Sequence, residues 1–500
     1  MPKNLARPGI AAFLPALVLL LPALAAAQAE RHRYRIALDP ALSRLTVEAR
    51  LETPAKVISA RSRDAGNYLV DARDCEQATP IRLRNQRMML PLAGIRCMNY
   101  TVDLAAAAAA GTHNRALAAD NVLVSPSLWL WRPQLTAGSE LHIRFELPAG
   151  VRVALPWPQL DDAGLEYRLA ASPQSADAPA VFGRFEYAEV AVPGATLRVS
   201  LLRAKDGGGP ARQTVTRWLQ ATATDVSLAY GRFPNPSPQV VVSPAPAERG
   251  RAVTYGRVIR DGGEAIELYV DHRHAPLALF RDWTATHEFS HLMLPYVEAR
   301  HRWISEGFAQ YYQNVLLARS GTYDPLAAWQ NLHDGFERGR RSRPELSPNE
   351  ATERGKSSAR MKIYWSGAAI ALLADVALRA RSGGEETLDD VLERLQACCL
   401  PSETAWSGPQ LFATLDELAG GEIFMPLYRR YADTAGFPDT VAVFARLGLE
   451  VDGGRVRYGR GELADLRAGI MRTDAATAAW RQRLARAPAA RGSGAPAGGR

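Results

Sequence analysis

Two histidines four residues apart, followed by a glutamate in a second apolar segment, constrain this chain more than any other feature. The stretch "THEFSHLMLPYVEARHRWISEGFAQYYQ" runs from Thr286 to Gln313. On a helix, residues four apart project from one face, so His287 and His291 converge while Glu288 leans beside them. Pro276 suits a helix start and Pro295 a helix end, which predicts one helix of about five turns. Leu279, Phe280, Trp283, Phe289 and Leu292 make that helix largely apolar. A polar His/Glu set among them is costly unless paired or metallated. Taken alone, the pattern also fits two surface histidines on an amphipathic helix. The second element argues against that reading. Glu306 follows Trp303, Ile304 and Ser305 and opens a helix whose apolar face carries Phe308, Tyr311, Tyr312 and Val315. A carboxylate in the first turn of such a helix can reach a cation held by its neighbour. Glu298 and His301, in the connecting loop, are alternative third ligands. A His-Glu-x-x-His-x-x-Gly-x-x-His set is excluded, because Leu294 and Val297 stand where Gly and His are needed. Two imidazoles and a carboxylate with an open fourth position form the donor set of a catalytic zinc site, here one ion per chain.

At 500 residues the chain exceeds one compact domain, and two or three are expected. Residues 1–28 have the layout of a secretory signal: Lys3 and Arg7, an apolar run from Ile10 to Leu24, then small residues at Ala25 to Ala27. An uncleaved anchor is the alternative, although the run is short for a bilayer span. Nothing later in the sequence reads as a span. The mature chain is therefore expected to be exported, periplasmic or secreted, with no stable membrane span after signal cleavage. The formal charge of +8 is no nucleic-acid footprint. Between Arg455 and Arg500 ten arginines face three acids, a charge of +7, and Lys3 with Arg7 add +2, leaving −1 for the rest. No nucleic-acid partner is expected. Four cysteines in an exported chain invite disulfides. Cys75 and Cys97, within one β-patterned region, are expected to pair. Adjacent Cys398 and Cys399 are expected to be reduced or ordinary small core residues, because a vicinal bridge is strained.

Runs such as "RYRIALD", "RLTVEARLE", "LHIRFELP" and "ATLRVSLLRA" alternate apolar and polar residues at period two between turn-forming residues. Residues 29–203 accordingly read as an N-terminal antiparallel β domain. Glycines and a proline in "AKDGGGPAR" mark a linker over 204–211. The period then changes: Val215, Trp218, Leu219, Val226 and Ala229 share one side at helical spacing, with Thr222 the one polar residue among them. Mixed helix and strand signals over 212–380 read as a catalytic domain, and 381–450 as a C-terminal helical region. Residues 451–500 read as a basic tail, disordered from about Ala475, where Ala, Arg, Gly and Pro dominate. The fold class is multidomain α+β.

In "HEFSH", then "WISEGFAQYY", then "YWSGAAIALLADVALRARSGGEETLDDVL", the chain resembles the gluzincin zinc metallopeptidases. The likeness is greatest to the glycyl aminopeptidase family and more distant to the aminopeptidase N family. It spans about residues 212 to 450 and, more loosely, the β region before them. The resemblance implies a thermolysin-like zinc catalytic domain acting on a peptide or protein substrate, aminopeptidase action included. It implies zinc on His287, His291 and Glu306, Glu288 as general base for a zinc-bound water, and Tyr364 as hydrogen-bond donor to the developing oxyanion. The chain departs from the family pattern in three places. Fourteen residues separate His291 from Glu306, a shortened connection. Ser366 stands where the family carries a lysine. The Gly-rich strand motif ending in a glutamate that grips the substrate's amine is not recognisable in "AVTYGRVIRDGGEAIELYV", where Glu264 is either its substitute or an edge-strand or turn glutamate. The competing expectation is a non-catalytic, zinc-stabilised peptide-binding or scaffold protein of the same fold.

Overall fold

The computed structural model describes residues 30–472, apart from 111–119, 137, 172–177, 205–206, 246–249 and 403. The signal-like leader and the tail from residue 473 onward lie outside the described residues. Period-two alternation produces the first sheet as expected. In Glu30–Leu38, Tyr34, Ile36 and Leu38 point inward while Arg31, Arg33 and Arg35 face solvent. Six strands line up in the order Glu166–Ala170, Ser139–Glu146, Glu30–Leu38, Arg44–Ala55, Ile95–Asp103, Leu69–Asp74. Neighbours are antiparallel except Glu30–Leu38 beside Ser139–Glu146. A three-stranded sheet of Asn121–Val124, Ala180–Gly183 and Arg152–Ala154 supplies the other side of this core. Trp129, Phe145 and Phe182 meet edge-on within it, at centroid separations of 5.9 to 6.4 Å. Cys75 and Cys97 are bridged, with Cα atoms 5.5 Å apart.

The domain boundary expected at 203 falls earlier. Strands Glu186–Val192 and Ala195–Leu201 belong to a second sheet of five, continued by Gln239–Pro244, Glu264–Val270 and Val253–Arg260 in that spatial order. Ala195–Leu201 runs parallel to Gln239–Pro244, with Val199 opposite Val240. The linker therefore carries the chain through the helix Arg212–Val226 between neighbouring strands of one sheet, rather than from one domain to the next. The uninterrupted run Val240-Val241-Val242 is buried on both faces, as a central parallel strand requires. Val253–Arg260 is the sheet's edge strand.

The turn after that edge strand, Asp261-Gly262-Gly263, docks onto the first domain. Gly262 has φ +76°, and a Cβ there would lie 2.6 Å from the Trp157 ring and 2.3 Å from Leu169 Cδ1. A Cβ on Gly263 would lie 2.0 Å from the carbonyl oxygen of Pro156. Only glycines permit both the turn and this approach. Trp157 Nε1 donates to the Asp261 carbonyl at 3.0 Å, and Arg61 pairs with the Asp261 carboxylate.

Helices follow, with one β-hairpin before the last of them. The ligand helix, Arg302–Arg319, crosses the long helix Arg360–Ser382 at two glycines. A Cβ on Gly307 would meet Gly367 Cα at 2.2 Å, and one on Gly367 would meet the Trp303 carbonyl oxygen at 2.1 Å. Arg360–Ser382 lies within a segment, Ser357–Ser382, long and apolar enough to cross a membrane, a signal absent from the sequence reading. Most of that segment is buried inside the protein, as a core helix is. The tail expectation also needs correction. Residues 451–472 are not an unstructured extension: Leu449–Asp452 and Arg455–Tyr458 pair as a hairpin, and Ala464–Met471 is a helix that buries Ile470 and Met471. Val456 faces the core while the arginines around it stay outside, so a basic composition concealed an ordered hairpin. Cys398 and Cys399 likewise differ from expectation. They form a vicinal disulfide at the end of the helix Leu388–Cys399, and Cys398 is exposed rather than part of the core.

Candidate metal centre

The helix carrying the motif is shorter than its apolar pattern predicts. Pro276–Arg281 and Thr284–Ser290 are separate helices, and His291–Met293 continues the second as a 3-10 turn. Asp282 makes the break: it is extended, with φ −80° and ψ 132°, and its carboxylate accepts the Thr284 N–H at 2.8 Å. Phe280, expected inside, is exposed as a result. Thr284–Ser290 retains the register that matters, because His287 and His291 still lie one turn apart. Their rings meet edge-on, with centroids 4.8 Å apart.

Glu306 completes the cluster from the first turns of the ligand helix. Candidate ligand atoms of His287, His291 and Glu306 all lie within 4.8 Å of one another. Glu306 Oε2 is 3.5 Å from His287 Nε2 and 3.6 Å from His291 Nε2. It is buried and has no hydrogen-bond partner. Donors held about 2.0–2.1 Å from a tetrahedral zinc would be about 3.3–3.4 Å apart, so the three residues fit such an ion. The loop alternatives are turned away. His301 Nε2 is 3.0 Å from the Tyr428 hydroxyl, and Glu298 is exposed.

Supporting residues hold two of the three ligands by hydrogen bonds. Ser305 Oγ lies 2.9 Å from His291 Nδ1 and so directs Nε2 of that ring into the cluster. Arg302 donates to Glu306 Oε1 from Nε at 2.8 Å and Nη2 at 2.6 Å, which leaves Oε2 for the cluster. Arg260 donates to the carbonyls of His291 and Leu294, at 3.1 and 2.9 Å, and holds the turn where the motif helix ends. Glu264 accepts from Arg260 Nε at 2.9 Å and from Asn235. It therefore serves the turn behind the site rather than a substrate amine. Gly307 and Gly367 allow the long helix close enough for Tyr364 to stack on His287, with centroids 5.8 Å apart and planes 14° apart. Ser366, one residue before Gly367, is fully buried.

Glu288 is no part of the ligand set. Its carboxyl accepts the backbone N–H of Val258 in the edge strand, and Gly256 of that strand packs directly against its side chain. Burial, reinforced by the charge of Glu306 and opposed by His287, pushes its pKa up to about 7. Burial opposes the charge of Glu306 too, yet the nearby His287, with His291 and Arg302, holds that carboxyl below the usual range. His287 is raised: burial opposes its charge, but Glu306 and Glu288 outweigh it. Burial pushes His291 down to about 3, which keeps it neutral and able to bind a metal. Burial, then Glu306, raises the Tyr364 hydroxyl well above its ordinary value, so it stays protonated.

All five sequence-derived residues thus come together: His287, Glu288, His291, Glu306 and Tyr364. Sequence reasoning missed Arg302, Arg260, Ser305 and Gly256. Only Ser305 carried a local signal, its place directly before Glu306.

The chain is similar to known peptidases in one segment of its sequence and in its fold. A family model described as M61 glycyl aminopeptidase matches residues 295–369, a stretch that includes Glu306 and Tyr364 and begins after His291. No curated protein matches the chain. Among solved structures, an aminopeptidase N family protein from Idiomarina loihiensis superposes with a TM-score of 0.59 at 15% identity, over 84% of this chain and 79% of its own. An M1 zinc metallopeptidase from Deinococcus radiodurans, as a variant bound to the substrate Tyr-Ser-Ala, gives 0.48 at 16% identity, over 82% of this chain and 95% of its own. The same enzyme without that substrate gives 0.47 at 15% identity, over 82% and 94%. Over residues 295–369 the sequence is similar to the glycyl aminopeptidases, and the mixed α+β fold is similar to that of an aminopeptidase N family protein, in keeping with the gluzincin-like motifs.

Proposed function

We propose that this chain is an exported zinc-dependent peptidase with a thermolysin-like catalytic domain. One observation carries the reading. A buried, unpartnered carboxylate oxygen of Glu306 faces the Nε2 atoms of His287 and His291, and a second carboxyl, Glu288, stands beside the cluster without joining it. A metal-stabilised scaffold needs the first three residues but has no use for Glu288. When bound, zinc supplies Lewis acidity that lowers the pKa of a water toward about 7 and polarises a carbonyl.

The remaining chemistry belongs to the chain. Glu288, poised near neutrality by burial and pinned by Val258 N–H, takes a proton from the attacking water and delivers it to the leaving amine. Tyr364, kept protonated, donates a hydrogen bond to the carbonyl oxygen as negative charge develops there. The edge strand Val253–Arg260 passes beside Glu288 and, among the described residues, pairs with no strand on its outer side, so an extended peptide can add along the part that Glu288 leaves open.

The test is cleavage of a peptide library with free and with blocked amino termini, before and after chelation. Cleavage lost on chelation and restored by zinc supports the proposal. Chelator-insensitive cleavage, or none by the zinc-loaded chain, contradicts it. Export rests on residues 1–28 and predicts that protein recovered outside the cytoplasm begins after Ala27 or Ala29.

A further inference from the structure

Arg302 stands between the metal centre and solvent. Its side chain is 62% exposed, whereas that of Glu306, which it covers, is 7% exposed. Its guanidinium binds Glu306 Oε1 at 2.6 and 2.8 Å while the side chain stays largely open to solvent, which puts it on the solvent side of the cluster. Local rules disfavour arginine at this position. It is the first residue of the helix Arg302–Arg319, where the positive end of the helix dipole repels a cation. An arginine four residues before a glutamate is also the less favourable order for a helical pair. A residue that breaks two local rules at the edge of a reactive centre calls for a functional explanation. A guanidinium has five N–H donors; two reach Glu306 Oε1 and one serves Tyr364, which leaves two for a ligand.

Among the described residues, the three elements packed around the cluster leave no unengaged carboxylate for a substrate ammonium. The edge strand Val253–Arg260 has no acidic residue. On its neighbour, Glu264 is taken by Arg260 and Asn235, and Glu267 by Arg257. On the motif helix, Glu288 is the base. Arg302 is the charged side chain of this cluster that is largely open to solvent.

We infer that Arg302 is the specificity determinant of this site and reads a carboxylate of the peptide beside the scissile bond, in place of a free amino terminus. The carboxylate is either an acidic side chain or a chain terminus. This inference rests on the peptidase reading of the metal centre.

Binding tests it without requiring turnover. The zinc-loaded Glu288→Gln full-length chain is titrated with labelled, amino-blocked peptides that differ only as Glu against Gln, or as C-terminal acid against amide. The acidic member of at least one pair is expected to bind roughly tenfold tighter, the scale of one charge-assisted hydrogen bond. The pair that shows the difference identifies the source of the carboxylate. In an added Arg302→Gln background the ratio should fall to about one with zinc content unchanged. Should that variant lose zinc, Arg302→Lys replaces it, and the charge it retains must preserve the preference. Equal affinity within both pairs overturns the inference, as does a preference that survives Arg302→Gln. Chelator-sensitive cleavage with no acidic preference sinks this inference alone; an acidic preference without cleavage sinks the peptidase reading alone.

Discussion

Gly256 is where the edge strand touches the proposed base, and replacing it with alanine separates the position of Glu288 from its chemistry. A methyl group there would lie 2.7 Å from Glu288 Cγ, 2.9 Å from Thr284 Cγ2 and 3.1 Å from Glu288 Oε1. Ordinary contact begins near 3.4 Å, so Glu288 must retreat by about 0.7 Å or the strand must lift by as much. Gly256 is not among the positive-φ glycines, so alanine strains no backbone of its own. A misplacement of about 1 Å can cost roughly 100-fold in rate, and 0.7 Å is therefore expected to lower kcat/KM by roughly 10- to 100-fold. That is about 1.4–2.7 kcal/mol of transition-state stabilisation. The three atoms nearest this methyl belong to Glu288 and Thr284 and not to a ligand, so zinc content should not change. The assay compares kcat/KM on one peptide, zinc content and Tm. Gly209→Ala is the control, since its methyl would meet nothing nearer than 3.7 Å. Full activity in Gly256→Ala would refute the account of how Glu288 is placed. Loss of zinc would show instead that the strand supports the ligands.

Removing a ligand behaves differently: His287→Ala should lose the metal and the activity together, measured by zinc content after dialysis. Gly367→Ala drives a methyl into the Trp303 carbonyl and should cost roughly 1–3 kcal/mol or more, seen as a lower denaturation midpoint. Behind the site, Asp375 accepts from Tyr311 Oη at 2.7 Å, Arg379 Nε at 2.9 Å and the Leu388 N–H at 3.0 Å. Asp375→Ala leaves Arg379 buried without its partner and should destabilise by about 3–5 kcal/mol in the same measurement. Metal-free protein has a pH signature. The folded pKa of Glu288, about 7, exceeds its ordinary 4.5, so folding favours the protonated carboxyl and stability is lost as pH rises from 4.5 through 7. Metal-free Glu288→Gln should therefore match metal-free wild type near pH 4.5 and exceed it by up to about 3 kcal/mol at pH 8. A gap that does not widen with pH contradicts that burial.

The ligand set was legible because it depends on short spacings. Four residues separate His287 from His291, and a break of one helix at Asp282 leaves that spacing intact. Glu306 could be read from its place in the first turns of an apolar-faced helix. Tyr364 is different: its approach depends on Gly307 meeting Gly367, a contact between residues 60 apart that neither local pattern encodes. The break at Asp282 was hidden because apolar spacing continues across it, and only the carboxylate bond to Thr284 N–H reveals it. "RDGGE" raised the same difficulty. Its glycines suit a substrate loop and a docked turn equally well, and only Pro156 and Trp157, a hundred residues earlier in the chain, decide for the turn. The sheet's extension back to Glu186 was obscured by the glycine-rich linker, which reads as a domain boundary but bridges two neighbouring strands.

The central claim is that Glu288 does chemistry beside a zinc it does not bind. Zinc stoichiometry and peptide cleavage measured on one preparation of Glu288→Gln test it most directly. One zinc per chain is expected, with cleavage reduced by roughly 100- to 10,000-fold, the range for loss of a general base. Cleavage at the wild-type rate with zinc bound would contradict it.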